Sequence, residues 1–257
     1  MKFCISSRQE KEYLLKADQI KVEYRDRDII YDYIELYPNK TIILHLPKEE
    51  VDLELIKSFS EKIDLICSLD NLYYAYKLKE LNIKFFYSYP VSSYFELQGL
   101  KELGVCYAYI GMPLFFDLPN VIKIGIPLRA VPNVAYEAYI PRDSGICGQW
   151  IRPEDVEIYE KYIDVFEFHT EGLPQERALY RIYAEQKHWS GEMGDIITNF
   201  GESDCLNRLV YEDIAQIRVS CKQKCQAGHP CDLCRKSVKF GDLVRRYAEA
   251  KKEKDLN

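Results

Sequence analysis

Residues 41–88 read TIILHLPKEEVDLELIKSFSEKIDLICSLDNLYYAYKLKELNIKFFYS, and this stretch decides the fold class. It contains three short runs rich in β-branched and aromatic residues, at 41–46, 63–68 and 83–88. The segments between them repeat apolar residues at spacings of three and four. The runs are typical of strands and the spacers of amphipathic helices. Strands that alternate with helices predict right-handed βαβ units and a parallel sheet.

The same pattern continues on both sides of this stretch. The strand-like runs lie at 2–6, 20–24, 41–46, 63–68, 83–88, 105–111, 121–127 and 163–168. Eight such units predict a closed (β/α)8 barrel of the TIM type, and an open doubly wound sheet is the alternative. We expect the barrel to occupy residues 1–200. Residues 201–257 are expected to form a Cys-rich, metal-binding appendage that ends in a basic helix.

The composition is that of a globular protein. Hydrophobic residues make up 47% of the 257 residues and charged residues 30%, which excludes disorder of the whole chain. No apolar run is long enough for a membrane-spanning helix, and the first residues lack the apolar core of a signal peptide. We therefore expect a cytoplasmic protein with no membrane partner.

Charge is distributed unevenly along the chain. Residues 218–257 contain 11 basic and 5 acidic residues, a balance of +6, although the whole chain has a net charge of −6. A basic tail on an acidic body is typical of a nucleic-acid contact. A solvated helix, or a surface that binds a protein partner, explains the same pattern.

A dense cysteine cluster, CKQKCQAGHPCDLC, lies within this basic region. Four thiolates so close in sequence can form a tetrahedral site for zinc or hold a [4Fe-4S] cluster. The expected ligands are Cys221, Cys225, Cys231 and Cys234. His229 is a candidate to replace one thiolate, and Cys147 is either a further ligand or an ordinary loop residue. Unligated or redox-active thiols are the alternative to metal binding.

A second set of candidates follows from the predicted barrel, because the carboxyl ends of its strands meet at one mouth. Carboxylates, imidazoles and guanidinium groups there can transfer protons and hold an anion. For proton transfer the candidates are Glu167, His169 and Asp70. For substrate binding they are Glu23, Arg25, His45, Arg129, Asn133 and Arg152, and Ser68 and Ser88 also lie at strand ends. The plainer interpretation is that polar residues simply leave the core at strand ends.

Residues 63–183 resemble the U32 peptidase-like family of TIM barrels. The resemblance rests on IDLICSLDNLYYAYKLKELNIKFFYSYPVSS, LKELGVCYAYIG, PNVA and WIRPEDVEIYEKYIDVFEF. Several members of that family assist hydroxylation of RNA bases or of a quinone precursor, and carry an iron–sulfur cluster on C-terminal cysteines. The resemblance implies a barrel enzyme that modifies a nucleic-acid base or a small cofactor rather than a peptidase.

The segment RPEDVEIYEKYIDVFEF is also similar to the strand-eight region of tRNA-guanine transglycosylases. That resemblance implies base exchange, with Glu167 in the place of the attacking carboxylate and a structural zinc bound after strand eight. A third hypothesis needs no catalysis: the barrel is a scaffold, and zinc stabilises a nucleic-acid-binding tail.

Overall fold

The computed structural model describes residues 2–111, 114–134, 151, 153, 156–169, 173, 178–184 and 195–197. Within these ranges, no helix is both long and apolar enough to cross a membrane. Residues 201–257 lie outside them, so the predicted boundary at residue 200 stays a prediction, as does the appendage beyond it.

Eight parallel strands form a closed barrel, which confirms the predicted fold class and excludes the open sheet. Closure is made by the first strand, which pairs with both the second and the eighth. The strands are β1 (Lys2–Ser6), β2 (Gln19–Glu23), β3 (Thr41–Leu46), β4 (Leu65–Leu69), β5 (Lys84–Val91), β6 (Ala108–Ile110), β7 (Leu128–Ala130) and β8 (Val165–Glu167).

Helices connect most of the strands. They are α1 (Lys11–Lys16), α2 (Ile29–Leu36), α3 (Leu53–Ser60), α4 (Tyr73–Glu80), α5 (Tyr94–Leu103), α6 (Leu118–Val121), α7 (Val156–Tyr159) and α8 (Leu179–Ala184). Short 3₁₀ turns cover Tyr24–Asp26, Leu114–Asp117 and Ile122–Ile124. Helix α5 shows how local sequence sets these boundaries: Ser93 and Glu96 form a capping box at its start, and Gly104 ends it in the left-handed conformation.

The seventh strand does not lie where the sequence predicted it. The apolar run at 121–127 forms the end of α6 and a 3₁₀ turn, and the strand begins only at Leu128. Gly125 closes the turn with a φ of +78°, a conformation that glycine adopts without steric cost. Pro127 has no N–H for a strand ladder, which explains why pairing starts after it. Residue 129 therefore lies inside a strand and not beyond one.

Side chains alternate between the two faces of each strand. In β2, Ile20 and Val22 are fully buried, whereas Gln19, Lys21 and Glu23 share the opposite face. The ion pairs that Lys21 and Arg129 make with Glu167 cross the interior of the barrel, so this polar face points inward. The inward face therefore carries the polar groups that form the candidate sites.

The chain divides into two compact units. The first comprises residues 1–131 and 157–168 and contains all eight strands. The second comprises residues 132–156 and 169–257. In the second unit, the Ile151 N–H donates to the Pro132 carbonyl at 2.7 Å, and the Tyr183 hydroxyl donates to the Ile151 carbonyl at 3.0 Å.

Candidate functional site

A polar cluster forms where strands β2, β3 and β4 end. Glu23 is the last residue of β2, His45 is the fifth of the six residues of β3, and Asp70 directly follows β4. In the sheet register Glu23 lies beside His45, and His45 lies beside Ser68. The structure thus brings together three of the residues that the sequence predicted for this mouth, and all belong to the first unit.

The His45 imidazole is at the centre of this cluster. Its Nε2 lies 3.5 Å from Asp70 Oδ2 and 4.0 Å from Glu23 Oε2, and its Nδ1 lies 3.3 Å from the Ser68 hydroxyl. Asp70 is held in turn by the Ser88 hydroxyl, which donates to Oδ1 at 2.5 Å. Both ring nitrogens therefore face polar partners, and one of them faces two carboxylates.

A second polar network lies deeper in the barrel, and its centre is the carboxylate of Glu167. Arg129 donates to Glu167 Oε2 from Nε at 2.9 Å, and its Nη2 lies 2.8 Å from the same oxygen. Lys21 donates to Oε1 at 2.8 Å. Arg129 also donates from Nη1 to Gln19 Oε1 at 2.8 Å. The side chain of Arg129 is 0% exposed and that of Glu167 2%, so this is a buried ion pair with a second cation.

Aromatic rings enclose this network. The Arg129 guanidinium lies 4.8 Å from the ring centroid of Phe86 and 5.8 Å from those of Tyr107 and Tyr109. Burial, the largest single effect, acts to lower the pKa of Lys21, but the neighbouring groups, Glu167 foremost, together raise that pKa. Burial raises the pKa of Tyr109 well above its ordinary value, and the charge of Glu167 adds to the effect. Lys21 therefore stays an ammonium and Tyr109 a neutral phenol at neutral pH.

The sequence prediction placed Glu167 and Arg129 at the mouth, but in the structure they lie inside the barrel. Glu167 is in register with Cys4, the middle residue of β1, and Arg129 is the middle residue of β7. Their charged groups face each other instead of an open cleft. The roles predicted for them, proton transfer and anion binding, remain untested predictions.

Two members of the buried network, Gln19 and Lys21, were missed by the sequence prediction. Their signal is visible in QIKVE (19–23), where polar residues alternate with Ile20 and Val22. In a strand whose apolar residues face the helices, that alternation predicts an inward polar face. The prediction considered only residues at the carboxyl ends of strands, and therefore missed Gln19 and Lys21 at the start and middle of β2.

The remaining predicted site residues lie elsewhere. The side chain of Arg25 is 70% exposed, and its Nε lies 3.9 Å from Asp26. Asn133 and His169 belong to the second unit, where the Asn133 side chain accepts from the His169 N–H at 3.1 Å and donates to the His169 carbonyl. This pairing uses the backbone of His169 and assigns no role to its imidazole.

Arg152, Cys147 and His229 lie outside the described residues, as do Cys221, Cys225, Cys231 and Cys234. Within the described part of the chain, no group of three or more His, Cys, Asp or Glu side chains could hold a metal ion. The four-cysteine site therefore stays a prediction from sequence.

Comparison with known proteins assigns the chain to no family. No protein-family model matches the chain, and no curated protein matches it. It is similar to the solved structure of 3-keto-L-gulonate-6-phosphate decarboxylase from Vibrio cholerae, with 13% identity and a TM-score of 0.47, over 72% of this chain and 96% of that one.

Two further solved structures are similar at the same low level. For 3-hexulose-6-phosphate synthase from Salmonella typhimurium the identity is 12% and the TM-score 0.43, over 73% of this chain and 100% of that one. A cube-shaped protein cage designed by fusing symmetric oligomeric domains has 10% identity and a TM-score of 0.42, over 100% of this chain and 86% of that one. Likenesses this weak carry no argument about substrate or activity.

These findings correct the predicted family. The barrels to which the chain is similar are neither U32 peptidase-like proteins nor tRNA-guanine transglycosylases, and no model of either family matches. Both resemblances were wrong. The quoted segments are strand–helix units that many barrels share, and short matches of that kind follow from the fold rather than from a common activity.

Proposed function

We propose that this chain is a barrel enzyme that transfers protons at the carboxyl ends of strands β2–β4, and that His45 is the group that exchanges a proton with the substrate. The observation that carries the proposal is the position of the imidazole, 3.5 Å from Asp70 and 3.3 Å from Ser68. Histidine suits this role because its ordinary pKa lies near neutral pH. The carboxyl ends of the strands are also where barrel enzymes bind their substrates.

Asp70 and Ser88 act as positioning residues in this proposal. The Ser88 hydroxyl holds one oxygen of Asp70, which leaves the other facing His45 Nε2. Because Ser68 faces Nδ1, the proton is exchanged at Nε2, and a carboxylate 3.5 Å from that nitrogen stabilises the positive charge that the ring gains on accepting it. Glu23 faces the same nitrogen from 4.0 Å and adds to that stabilisation.

Ser68, His45 and Asp70 are the residue types of a nucleophilic triad, but Ser68 faces Nδ1 and Asp70 faces Nε2, the reverse of the triad arrangement, and burial also argues against a Ser68 nucleophile. Ser68 is 1% exposed, so its hydroxyl has no room for a substrate carbon to approach. Its oxygen instead lies against His45 Nδ1 and helps to define the orientation of the ring. We therefore propose acid–base chemistry rather than a covalent serine intermediate.

Two elements of the proposal rest on sequence alone, because they fall within residues 201–257. The first is that the four cysteines bind zinc or a [4Fe-4S] cluster. The second is that the basic segment 218–257 contacts a nucleic acid or a protein partner. Both leave the role of His45 unchanged.

The proposal is tested by incubating the purified full chain in D2O with mixtures of keto acids, amino acids, sugars, sugar phosphates and nucleobases. Mass spectrometry then reads deuterium uptake or conversion of each compound. We expect His45→Gln to reduce the reaction of any substrate at least about 100-fold, the usual minimum for loss of a general acid or base. Asp70→Asn should reduce it less.

His169→Gln is the matched comparison, because His169 is the other described histidine and an alternative candidate from the sequence. It should react like the wild-type chain. Loss of activity in His169→Gln with full activity in His45→Gln would assign the proton transfer to the second unit and overturn the proposal. A wild-type chain that converts none of the compound classes would contradict it as well.

A further inference from the structure

A cavity of about 440 Å³ opens at the amino ends of the barrel strands, opposite the mouth that contains His45. Lys2, Thr41 and Lys84 are the first residues of β1, β3 and β5, which fixes this location. The volume lies within the usual range of small-molecule sites, about 300–1,000 Å³. The other lining residues are Asp64, Ile66, Cys106, Tyr107, Pro127, Glu160, Ile163 and Asp164.

The carboxylates at this cavity already have partners. Asp64 accepts from the Thr41 hydroxyl at 2.7 Å and from the Lys84 ammonium at 2.9 Å. Asp164 Oδ2 accepts from the Leu128 N–H at 2.8 Å. Glu160 is engaged as well. Each of these carboxylates is therefore already engaged by another group, although a carboxylate can accept further hydrogen bonds.

The ammonium groups, in contrast, have unused donors. Lys2 makes no ion pair with any described residue, although its charge lies close enough to Asp64 to act on it. Lys84 spends one of its three N–H donors on Asp64. The two lysines come from β1 and β5, on opposite sides of the barrel, and both line the cavity. The lining contains two ammonium groups and three carboxylates; all three carboxylates are engaged, whereas Lys2 has no ion pair with a described residue, and this difference favours an anionic ligand.

The floor of the cavity is partly apolar. Ile66 and Ile163 are buried, and Pro127 and the Tyr107 ring complete the surface. The Tyr107 ring is fixed by an edge-to-face contact with Phe86, with 6.1 Å between the centroids. Such a floor favours an apolar body on the ligand, because burying it removes hydrocarbon from water.

We propose that this cavity is a binding site for a small organic carboxylate, whose anionic group pairs with Lys2 and Lys84 and whose apolar body lies on Ile66 and Tyr107. The site is separate from the proposed proton-transfer site, since the two lie at opposite ends of the strands. It does not depend on what reaction the barrel performs.

Isothermal titration calorimetry with the full chain tests the proposal, with benzoate as the probe and benzamide as its neutral analogue. We expect saturable benzoate binding, and binding of benzamide at least tenfold weaker. Lys2→Gln and Lys84→Gln should each weaken benzoate at least tenfold. Lys11→Gln, at an exposed lysine that starts α1 at the other end of the barrel, should leave the affinity within twofold.

Circular dichroism confirms that each variant is folded, and Lys2→Gln breaks no ion pair among the described residues. Equal affinity for benzoate and benzamide would overturn the assignment of an anion. Unchanged benzoate affinity in both lysine variants would overturn the location. If inorganic phosphate competes as strongly as benzoate, the apolar residues of the cavity contribute nothing to binding, and that part of the proposal is wrong. If benzoate does not bind at concentrations up to about 10 mM, the cavity is not a carboxylate site.

Discussion

Replacing Glu167 by Gln should lower the stability of the barrel, because the change leaves a surplus of buried positive charge. In the native chain one carboxylate faces both Arg129 and Lys21, with contacts of 2.8–2.9 Å. Glutamine keeps the size of the side chain but removes its charge. Its amide nitrogen is also a donor, so it would face a guanidinium or ammonium donor where an acceptor is needed.

The magnitude follows from distance and burial. At an effective dielectric constant of about 20, a pair of unit charges 2.8 Å apart attracts by about 6 kcal/mol. Desolvation of the ions cancels much of that gain in the native state, but loss of one partner leaves the other charges uncompensated. Breaking a buried pair in this way costs about 3–5 kcal/mol. We expect the free energy of unfolding of Glu167→Gln to fall by that amount.

Urea denaturation followed by circular dichroism measures the change, and Lys84→Gln is the matched control. Lys84 and Asp64 also form an ion pair, at 2.9 Å, but their side chains are 59% and 49% exposed, so breaking it should cost at most about 1 kcal/mol. Adding Lys21→Met to Glu167→Gln should recover part of the lost stability, because it removes the surplus cation. A Glu167→Gln variant within about 1 kcal/mol of the wild type would refute the reasoning.

Two further predictions concern cysteines. Burial raises the pKa of Cys4 and of Cys106 to about 12 and also raises that of Cys67. Iodoacetamide at pH 8 should therefore leave all three thiols unmodified in the folded chain and label them in guanidinium, as read by peptide mass spectrometry. Rapid labelling of Cys4 or Cys67 without denaturant would contradict the packing. Cys231→Ser should abolish bound zinc or iron in elemental analysis, whereas Cys106→Ser should retain it, and equal metal content in both variants would exclude the predicted four-cysteine site.

Part of the candidate site was predictable because it depends only on where strands end. Glu23, His45 and Asp70 follow or close three apolar runs, and parallel strands bring such positions to one edge. That argument does not require knowing which side chains contact each other. It failed at β7, where a run as apolar as a strand, VIKIGIP (121–127), forms helical turns instead. Periodicity alone does not separate a short buried strand from a helical segment.

The depth of a residue in the barrel was not predictable, because it depends on register between strands far apart in sequence. Glu167 and Cys4 are neighbours across the β1–β8 pairing, 163 positions apart. That pairing places the Glu167 carboxylate beside Arg129 and Lys21 in the interior. From the sequence, both Arg129 and Glu167 looked like mouth residues, since each follows or ends an apolar run.

The amino-acid sequence by itself determined the alternation of strands and helices, and with it the barrel, because this follows from local patterns of apolar residues; the place of the seventh strand did not follow from them. Only the tertiary structure decided which polar groups meet. Hydrogen-bonded pairing sets the register of each strand relative to its neighbours, and closure of the barrel pairs β1 with β8. Those non-local contacts separate the His45 cluster at the mouth from the ion pair of Arg129 and Glu167 within the barrel.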